Sequence, residues 1–509
     1  MKRVFLLVLL AFGLQAFGAG LFVIPDPEAM ATDAYIIVYR ASDHVVALGS
    51  ATADTRLLDT GATWLRDYAL IVISDDTGLN SIREIGEPVY RDHHTVIVRL
   101  HSPVPEPFLR PGIHHVQPLR ETRAPAHPIP IPMRSGYDDL VASIVAAVNE
   151  DSLISYTENY QSYLTRYSYA DGYDTACDWS QERFEGMGLP VVIQPFPLGG
   201  STCQNVIATQ VGTVYPNREW IICGHLDSTS PNPWYNAPGA DDNASGSAAV
   251  IEAARIMSQY EFEYTIKYIL FGGEEQGLYG SAYYASQASA NGDSILGVVN
   301  MDMIFYGPPG ADIAWLHYNT ASTGLGVAFQ AISDTYVPAL VKEVAASPMP
   351  NSDHSSFWNN GYAAMLSIER NVQSNPYYHQ VTDLMENYLQ YFPFGTRMAQ
   401  ACIATVAYLA NPVATGVEWG SPELFSSAIS VFPNPVSSAA TVLVSAASPA
   451  PAELQVFDLT GRMVHGETLS LGVGENTAVI QAASLPTGVY SVRLTSGGES
   501  LSARMVVVR

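Results

Sequence analysis

The sequence predicts an α/β protein in which a mostly parallel central sheet is flanked by a β-containing N-terminal domain and a C-terminal β-sandwich. Three observations predict it. From about residue 137 to 411, short apolar runs alternate with segments of helical period, the pattern of strands buried on both faces and covered by helices. Ahead of that region, short alternating runs are separated by Gly, Asp and Pro; beyond about residue 429 the chain reads as strands to its last residue, Arg509. At 509 residues, two or three domains are expected, the largest with a substantial core.

Taken in order, residues 1–19 read as a secretory signal: Lys2 and Arg3, an apolar run over 4–14, then Ala16, Gly18 and Ala19 as small residues at the cleavage site. The run is shorter than the roughly 20 residues of a spanning helix. With no longer uninterrupted apolar stretch elsewhere, the mature chain is expected to carry no transmembrane anchor. Residues 20–130 form the N-terminal domain, with strands expected in AYIIVYR (34–40), YALIVIS (68–74) and TVIVRL (95–100). The proline-dense segment RAPAHPIPIPMRSG (123–136) favours an extended, exposed conformation and marks a boundary or protease-accessible linker, making the domain before it a candidate propeptide.

Residues 137–412 form the α/β domain. Residues 138–163 are helical in period, and WIIC (220–223), TIKYILF (265–271), LGVVNM (296–301) and AAMLSI (363–368) read as buried strands. A helix beginning near Ala244, with Asp242 and Asn243 as candidate caps, turns Ala248, Ile251, Ala254 and Met257 toward the sheet. Another closes the domain over 395–409. Residues 425–509 contain AISVFPNP (428–435), TVLVS (441–445), AELQVFDLTGRMV (452–464), GVYSVRL (488–494) and ARMVVVR (503–509), whose spacing suggests an immunoglobulin-like sandwich.

Composition narrows the partners. The formal net charge is -25, from 24 Lys+Arg against 49 Asp+Glu, a balance that repels phosphate backbones and anionic headgroups and excludes nucleic acid. Charged residues are only 14%, against about 25% in ordinary soluble domains, which suits the polar, mostly uncharged surface of an exported protein. Of the four cysteines, Cys223 and Cys402 lie in apolar runs, so a disulfide, if formed, is expected between Cys177 and Cys203.

The chemistry lies just past the strands of the middle domain, where ligands bind in open α/β sheets. WIIC leads to His225 and Asp227, which alternation places on one side, a metal ligand with a carboxylate to orient it. PGADDNASG (238–246) holds Asp242 at a tight turn entering a helix, where a carboxylate can bridge two cations or simply cap the helix. TIKYILF leads to Glu274 and Glu275 between glycines; adjacent glutamates can point apart, one to metal and one to a water whose proton it takes. LGVVNM ends at Asp302, and NPYYHQVTD (375–383) supplies His379 with Asp383 four residues on. His225, Asp242, Glu275, Asp302 and His379 together make an oxygen- and nitrogen-rich set without thiolate, suited to zinc in an open site. Each has an ordinary structural explanation alone; five in order do not.

GHLDS, PGADDNASG, GGEEQGLYGS, NMDM and NPYYH, spread over residues 137–411, resemble the metal-site motifs of the M28 peptidase family, which includes the bacterial leucyl aminopeptidases. The resemblance implies a zinc-exopeptidase-like three-layer sandwich and two Zn2+ ions. One would be held by His225 and Asp302, the other by Glu275 and His379, with Asp242 bridging, Glu274 as general base and Asp227 behind His225. SDHSSFW (352–358) also resembles a family segment, with Asp353 and His354 supporting the site or facing substrate. The implied activity is aminopeptidase hydrolysis of peptide or protein substrates by a metal-activated water. VFPNP, VFDLTGRMV and SLPTGVYSVRL (484–494) resemble the sorting domains of type IX secretion, which implies a secreted or cell-surface protein and secretion machinery as a partner. The alternatives are a catalytically inactive, peptidase-like binding protein and a glutaminyl cyclase-like single-zinc enzyme. Trp234, Tyr235, Tyr306 and Tyr377 are candidates for an apolar substrate pocket or for core.

Overall fold

In a computed structural model of the chain, residues 138–370 and 372–413 are described continuously, and 19–121 and 429–508 in shorter runs. The expected signal, apart from Ala19, and all but two residues of the segment 123–136 lie outside the described residues. The chain divides into two units, Met1–Val413 and Ala414–Arg509.

The first unit begins with two four-stranded antiparallel sheets. One contains β1 (Ala19–Pro25), β2 (Tyr35–Arg40), β3 (His44–Ser50) and β4 (Arg56–Asp59) in the order β2-β3-β1-β4. The other contains β5 (Tyr68–Ile73), β6 (Gly86–Asp92), β7 (Thr95–Leu100) and β8 (Ile113–Pro118) in the order β6-β7-β5-β8, so β8 is an edge strand. Leu21, Val38 and Val46 of the first sheet pack on Leu70, Val72 and Ile97 of the second, while α1 (Asp76–Arg83) buries Ile82 on the second sheet's opposite face. All three strands expected here are present.

The α/β part follows with α2 (Asp139–Ala146), α3 (Glu150–Ser162), α4 (Asp171–Gly186), and the hairpin β9 (Val191–Leu198) and β10 (Ser201–Gln210). The stretch of helical period over 138–163 is helical and divides in two at Asn149, whose side chain caps α3 by accepting from Ser152 N at 2.9 Å while its own N–H donates to Glu252 Oε1 at 2.8 Å. Next come β11 (Tyr215–His225), α5 (Gly246–Met257), β12 (Glu261–Phe262), β13 (Tyr264–Phe271), α6 (Tyr279–Asn291), β14 (Ser294–Met301) and β15 (Ile313–His317). The chain continues through α7 (Thr323–Tyr336), β16 (Val341–Val344), α8 (His354–Asn359), β17 (Ala364–Glu369), α9 (Phe392–Ala410) and β18 (Pro412–Val413), which pairs with β12.

The eight-stranded sheet runs β16-β15-β17-β14-β11-β13-β10-β9. Its middle four strands, β17-β14-β11-β13, are parallel, whereas β15 runs against β17 and β10 runs against both β13 and β9. Parallel pairing thus joins the four strands that read as apolar runs, and it joins β15 to β16 at the sheet's edge as well. Those four strands are buried on both faces. On β11, Trp220 and Ile222 join the core beneath α5 and α9, while Ile221 and Cys223 join Phe271, Ala285 and Phe357 beneath α6 and α8. Since α5 links β11 to β13 on one face and α6 links β13 back to β14 on the other, the chain changes faces beside β11. That opens a crevice at the carboxyl ends of these strands. The sheet with helices on both faces is the expected three-layer sandwich.

The helix expected near Ala244 starts at Gly246 after the turn Ala240–Ser245, and it is Asn243, not Asp242, that caps it, Oδ1 accepting from Gly246 N at 2.9 Å. Cys177 and Cys203 are separate buried thiols, so the pairing expected between them is not formed. Buried in apolar surroundings, both are held above the usual thiol range, Cys203 at about 12.

The second unit contains a three-stranded sheet of β19 (Ser430–Phe432), β20 (Ala439–Ala446) and β23 (Gly474–Gln481) in the order β19-β20-β23. Its partner is β22-β21-β24-β25, formed by β21 (Ala450–Phe457), β22 (Met463–Leu471), β24 (Gly488–Ser496) and β25 (Glu499–Val507). Val442, Val444, Leu454, Val456, Val492 and Leu494 share the core between them. The expected run 452–464 belongs to two strands, β21 and β22, which pair antiparallel, and Arg462 N donates to Asp458 Oδ1 at 3.1 Å.

Gly246 is set by close approach: a Cβ there would lie 2.3 Å from Met301 O and 2.5 Å from Asn243 Oδ1. Gly246→Ala is therefore expected to cost about 1–3 kcal/mol. Thermal denaturation checks this, and an unchanged midpoint would contradict the packing.

Candidate metal centre

Three parallel strands end side by side and deliver the polar residues. β11 ends on His225, 1% exposed; β13 leads through Gly272 and Gly273 to Glu274 and Glu275; β14 leads directly to Asp302. Asp242 comes from the turn that enters α5, and His379 from the loop after β17. His379 has φ 55, a left-handed conformation that a non-glycine residue adopts only when its surroundings enforce it.

The two carboxylate oxygens of Asp242 face different imidazoles: Oδ1 is 3.2 Å from His225 Nε2 and Oδ2 is 3.2 Å from His379 Nε2. On the outer sides, His225 Nε2 lies 3.3 Å from Asp302 Oδ1, and His379 Nε2 lies 3.0 Å from Glu275 Oε2. All five residues singled out as ligands in the sequence therefore converge, as a chain Asp302, His225, Asp242, His379, Glu275. Glu274 joins on the His225 side, where His225, Glu274 and Asp302 offer donor atoms within 4.8 Å of one another.

Four buried carboxyl groups thus share two imidazoles, and the electrostatics reflect the shortage of positive charge. Burial pushes the Glu275 carboxyl up to about 7, reinforced by Asp242, and burial raises Glu274 well above the usual range. For His379, burial opposes the charged ring, but Glu275 and Asp242 outweigh it and hold the pKa up at about 10. Glu275 Oε1 is buried with no hydrogen-bond partner among the described residues. The arrangement fits divalent cations, which would supply the missing charge, and its two nitrogens and four carboxylates fit zinc.

Surrounding groups hold these side chains in place. His225 Nδ1 lies 3.0 Å from the backbone oxygen of Asp227 and 3.6 Å from its Oδ1. The Asp227 carboxylate also accepts from the backbone N–H of Glu274 and of Glu275, each at 3.2 Å, and from Ser168 Oγ at 3.0 Å. It therefore aims the glutamate loop as well as sitting behind His225. Asp383 does the same for the Asp242 turn, accepting from Asp241 N at 3.0 Å and Asp242 N at 3.1 Å. Ser352 Oγ donates to Asp302 Oδ2 at 2.6 Å and accepts from Asn300 Nδ2 at 2.8 Å.

Sequence reasoning passed over Ser168, Asn300 and, above all, Arg166. Arg166 is fully buried, and its guanidinium donates to the carbonyls of Leu226, Tyr160, Pro238 and Gly239 at 2.7–3.2 Å, tying together the loops that carry His225 and Asp242. No local motif marks it. Ser352 does lie within SDHSSFW, whose other polar members divide. Asp353 is fully buried; burial raises its pKa to about 7, and the charge of His225 acts against the rise. His354 instead turns to Met349 O at 3.0 Å and packs edge-on against Trp358, so it serves the scaffold. The aromatic candidates also divide: Trp234 and Tyr235 are 52% and 77% exposed, whereas Tyr306 and Tyr377 pack against Tyr391 and Tyr388.

Residues 205–403 match the model of peptidase family M28, and residues 430–508 match that of a secretion system C-terminal sorting domain. A probable zinc metalloprotease of Pyrenophora teres f. teres is 39% identical over 113 residues, which cover 22% of this chain and 23% of that protein. The chain thus spans less than a quarter of that relative's length. Among solved structures, LapB from Legionella pneumophila superposes with a TM-score of 0.57 at 17% identity, covering 68% of this chain and 99% of that one. The LapA aminopeptidase of the same organism gives 0.51 at 18%, covering 77% and 98%. These two likenesses concern the fold. Taken together, the convergent site and the family match identify the region from β10 to α9 as a peptidase family M28 domain, followed in the chain by a secretion-system sorting domain.

Proposed function

We propose that this chain is a secreted di-zinc exopeptidase that removes amino-terminal residues from peptides. The observation that carries the reading is the placement of Asp242 between two imidazoles, with Asp302 on one flank and Glu275 on the other. Asp242 would bridge two ions, His225 and Asp302 completing one side, and Glu275 and His379 the other. Bound zinc would lower the pKa of a water and polarise a scissile carbonyl.

The chain's own residues do the rest. Glu274, buried and with its backbone tied to Asp227 Oδ1, is placed to take the proton of the attacking water and return it to the leaving amine. Its burial favours a carboxyl able to hold that proton between the two steps. Asp227 keeps both Glu274 and His225 aligned, and Asp383 fixes the bridging residue through the backbone. The carboxylates gathered around the crevice favour a substrate with a free, positively charged α-amine over one whose terminus is blocked. Export is supported by the C-terminal sorting domain and by the signal-like first 19 residues, and we assign it to the type IX route. No helix among the described residues is long and apolar enough to cross a membrane.

Glu274→Gln is expected to lower kcat by roughly 10²–10⁴-fold while metal analysis still finds two zinc ions per chain; wild-type turnover in this variant would remove Glu274 from the role of base. Asp242→Asn, which withdraws charge shared by both imidazoles, should leave fewer than two ions per chain in the same measurement. Paired assays on free and amino-blocked aminoacyl substrates, with and without chelator, should show chelator-sensitive hydrolysis of the free form. Hydrolysis of the blocked form alone would overturn the aminopeptidase assignment.

A further inference from the structure

The edge strand of the N-terminal domain lies against the loop that follows Glu274 and Glu275. β8 pairs with β5 along one side only. Beyond a bulge near its start, His115 and Gln117 share one face of the strand and Val116 and Pro118 the other, by alternation from the register His115 to Val72 and Val116 to Ile71. The strand is gripped by the α/β part at two places. Gln117 Nε2 donates to Pro350 O at 3.0 Å, two residues from Ser352, which holds Asp302. On the opposite flank, Arg120 donates to Gly277 O at 2.9 Å and lies over the Tyr279 ring.

Gly277, two residues beyond Glu275, makes this approach feasible. A Cβ there would stand 3.0 Å from both Pro118 Cδ and Val116 O, and its φ of +116 excludes most side chains. β8 therefore passes directly over the segment that carries Glu274 and Glu275.

His115 is 7% exposed, and its Nε2 has no hydrogen-bond partner among the described residues. An unsatisfied buried ring nitrogen costs free energy unless a ligand engages it. The charged groups it senses, besides Arg120, are His379, His225 and Asp242, the residues at the centre of the site. Burial lowers its own pKa to about 3, which keeps the ring a neutral lone-pair donor.

We propose that β8 closes the M28 site and that His115 supplies a further imidazole to the metal centre, an inhibitory ligand carried by the chain's own N-terminal domain. The inference rests on the two-metal reading above. An open catalytic zinc site keeps a coordination position for water or substrate. An imidazole placed there would hold the site closed until β8 withdraws, and the domain would act as a built-in inhibitor of the exported protein.

The test uses the full chain loaded with cobalt(II), whose visible absorption reports nitrogen ligation, in wild type and in His115→Ala and His115→Gln. Both variants are expected to bind two cobalt ions and keep the wild-type circular dichroism. They should show a changed cobalt spectrum and raise kcat/KM on a small aminoacyl substrate about tenfold, as the open fraction grows. The Gln variant keeps most of the side-chain volume and so separates loss of the imidazole from loss of packing. Two bound ions with a wild-type spectrum in both variants would overturn the inference and leave the metal reading intact. A rate increase with an unchanged spectrum would also overturn the ligand role, since a merely steric cover gives that result. A wild-type chain that binds no cobalt would overturn the metal reading and the inference together.

Discussion

The α/β part of this chain is built around a concentration of buried negative charge that two imidazoles cannot balance. Asp242 sits 3.2 Å from both rings, and Asp302, Glu274 and Glu275 are packed about them with little access to water. Burial raises the pKa values of Glu274 and Glu275, and repulsion between carboxylates this close adds to the rise. Such a cluster is stable only if protons or cations neutralise it. The surrounding fold is therefore organised to hold carboxylates where a cation can take the place of protons.

Most of that organisation is backbone work. Parallel strands β13, β11 and β14 bring three chain segments to one edge of the sheet, and the change of helical face beside β11 leaves room above them. The carboxylates of Asp227 and Asp383 then hold main-chain N–H groups, each fixing a two-residue stretch that carries one of the converging side chains. Arg166 ties the two loops from beneath by their carbonyls. An acidic residue near a metal thus need not be a ligand. In this site the supporting aspartates set direction and the central ones set charge.

Legibility in the sequence followed burial. WIIC, TIKYILF, LGVVNM and AAMLSI could be read because strands covered on both faces need continuous apolar runs, and each ends where a polar residue becomes affordable. The flanking strands were harder. β9 has its side chains only partly covered over much of its length, and β16 is largely exposed, so neither carries such a run. The break between α2 and α3 was missed because Asn149 acts through Glu252, more than a hundred residues away, and helical period alone cannot register that contact. Asp242 and Asn243 were both plausible caps, and local pattern could not choose between them. The choice fell to Asn243 because its amide also reaches Met301 O at 2.9 Å, a donor that a carboxylate lacks.

The sequence by itself determined the α/β class, the β-rich ends and the five residues that converge at the crevice, because local order preserves the strand, turn and acidic residue at each motif. It could not determine that Asp242 stands between the imidazoles, that Asp227 governs the glutamate loop, or that Arg166 belongs to the site at all. Those depend on distances between residues separated by tens to more than a hundred positions, which only the packed sheet sets. The same is true of His115. Nothing in the run of β8 distinguishes it from an ordinary edge-strand histidine, and only the tertiary structure docks β8 against Gly277 and Pro350 and leaves His115 Nε2 buried with no hydrogen-bond partner among the described residues.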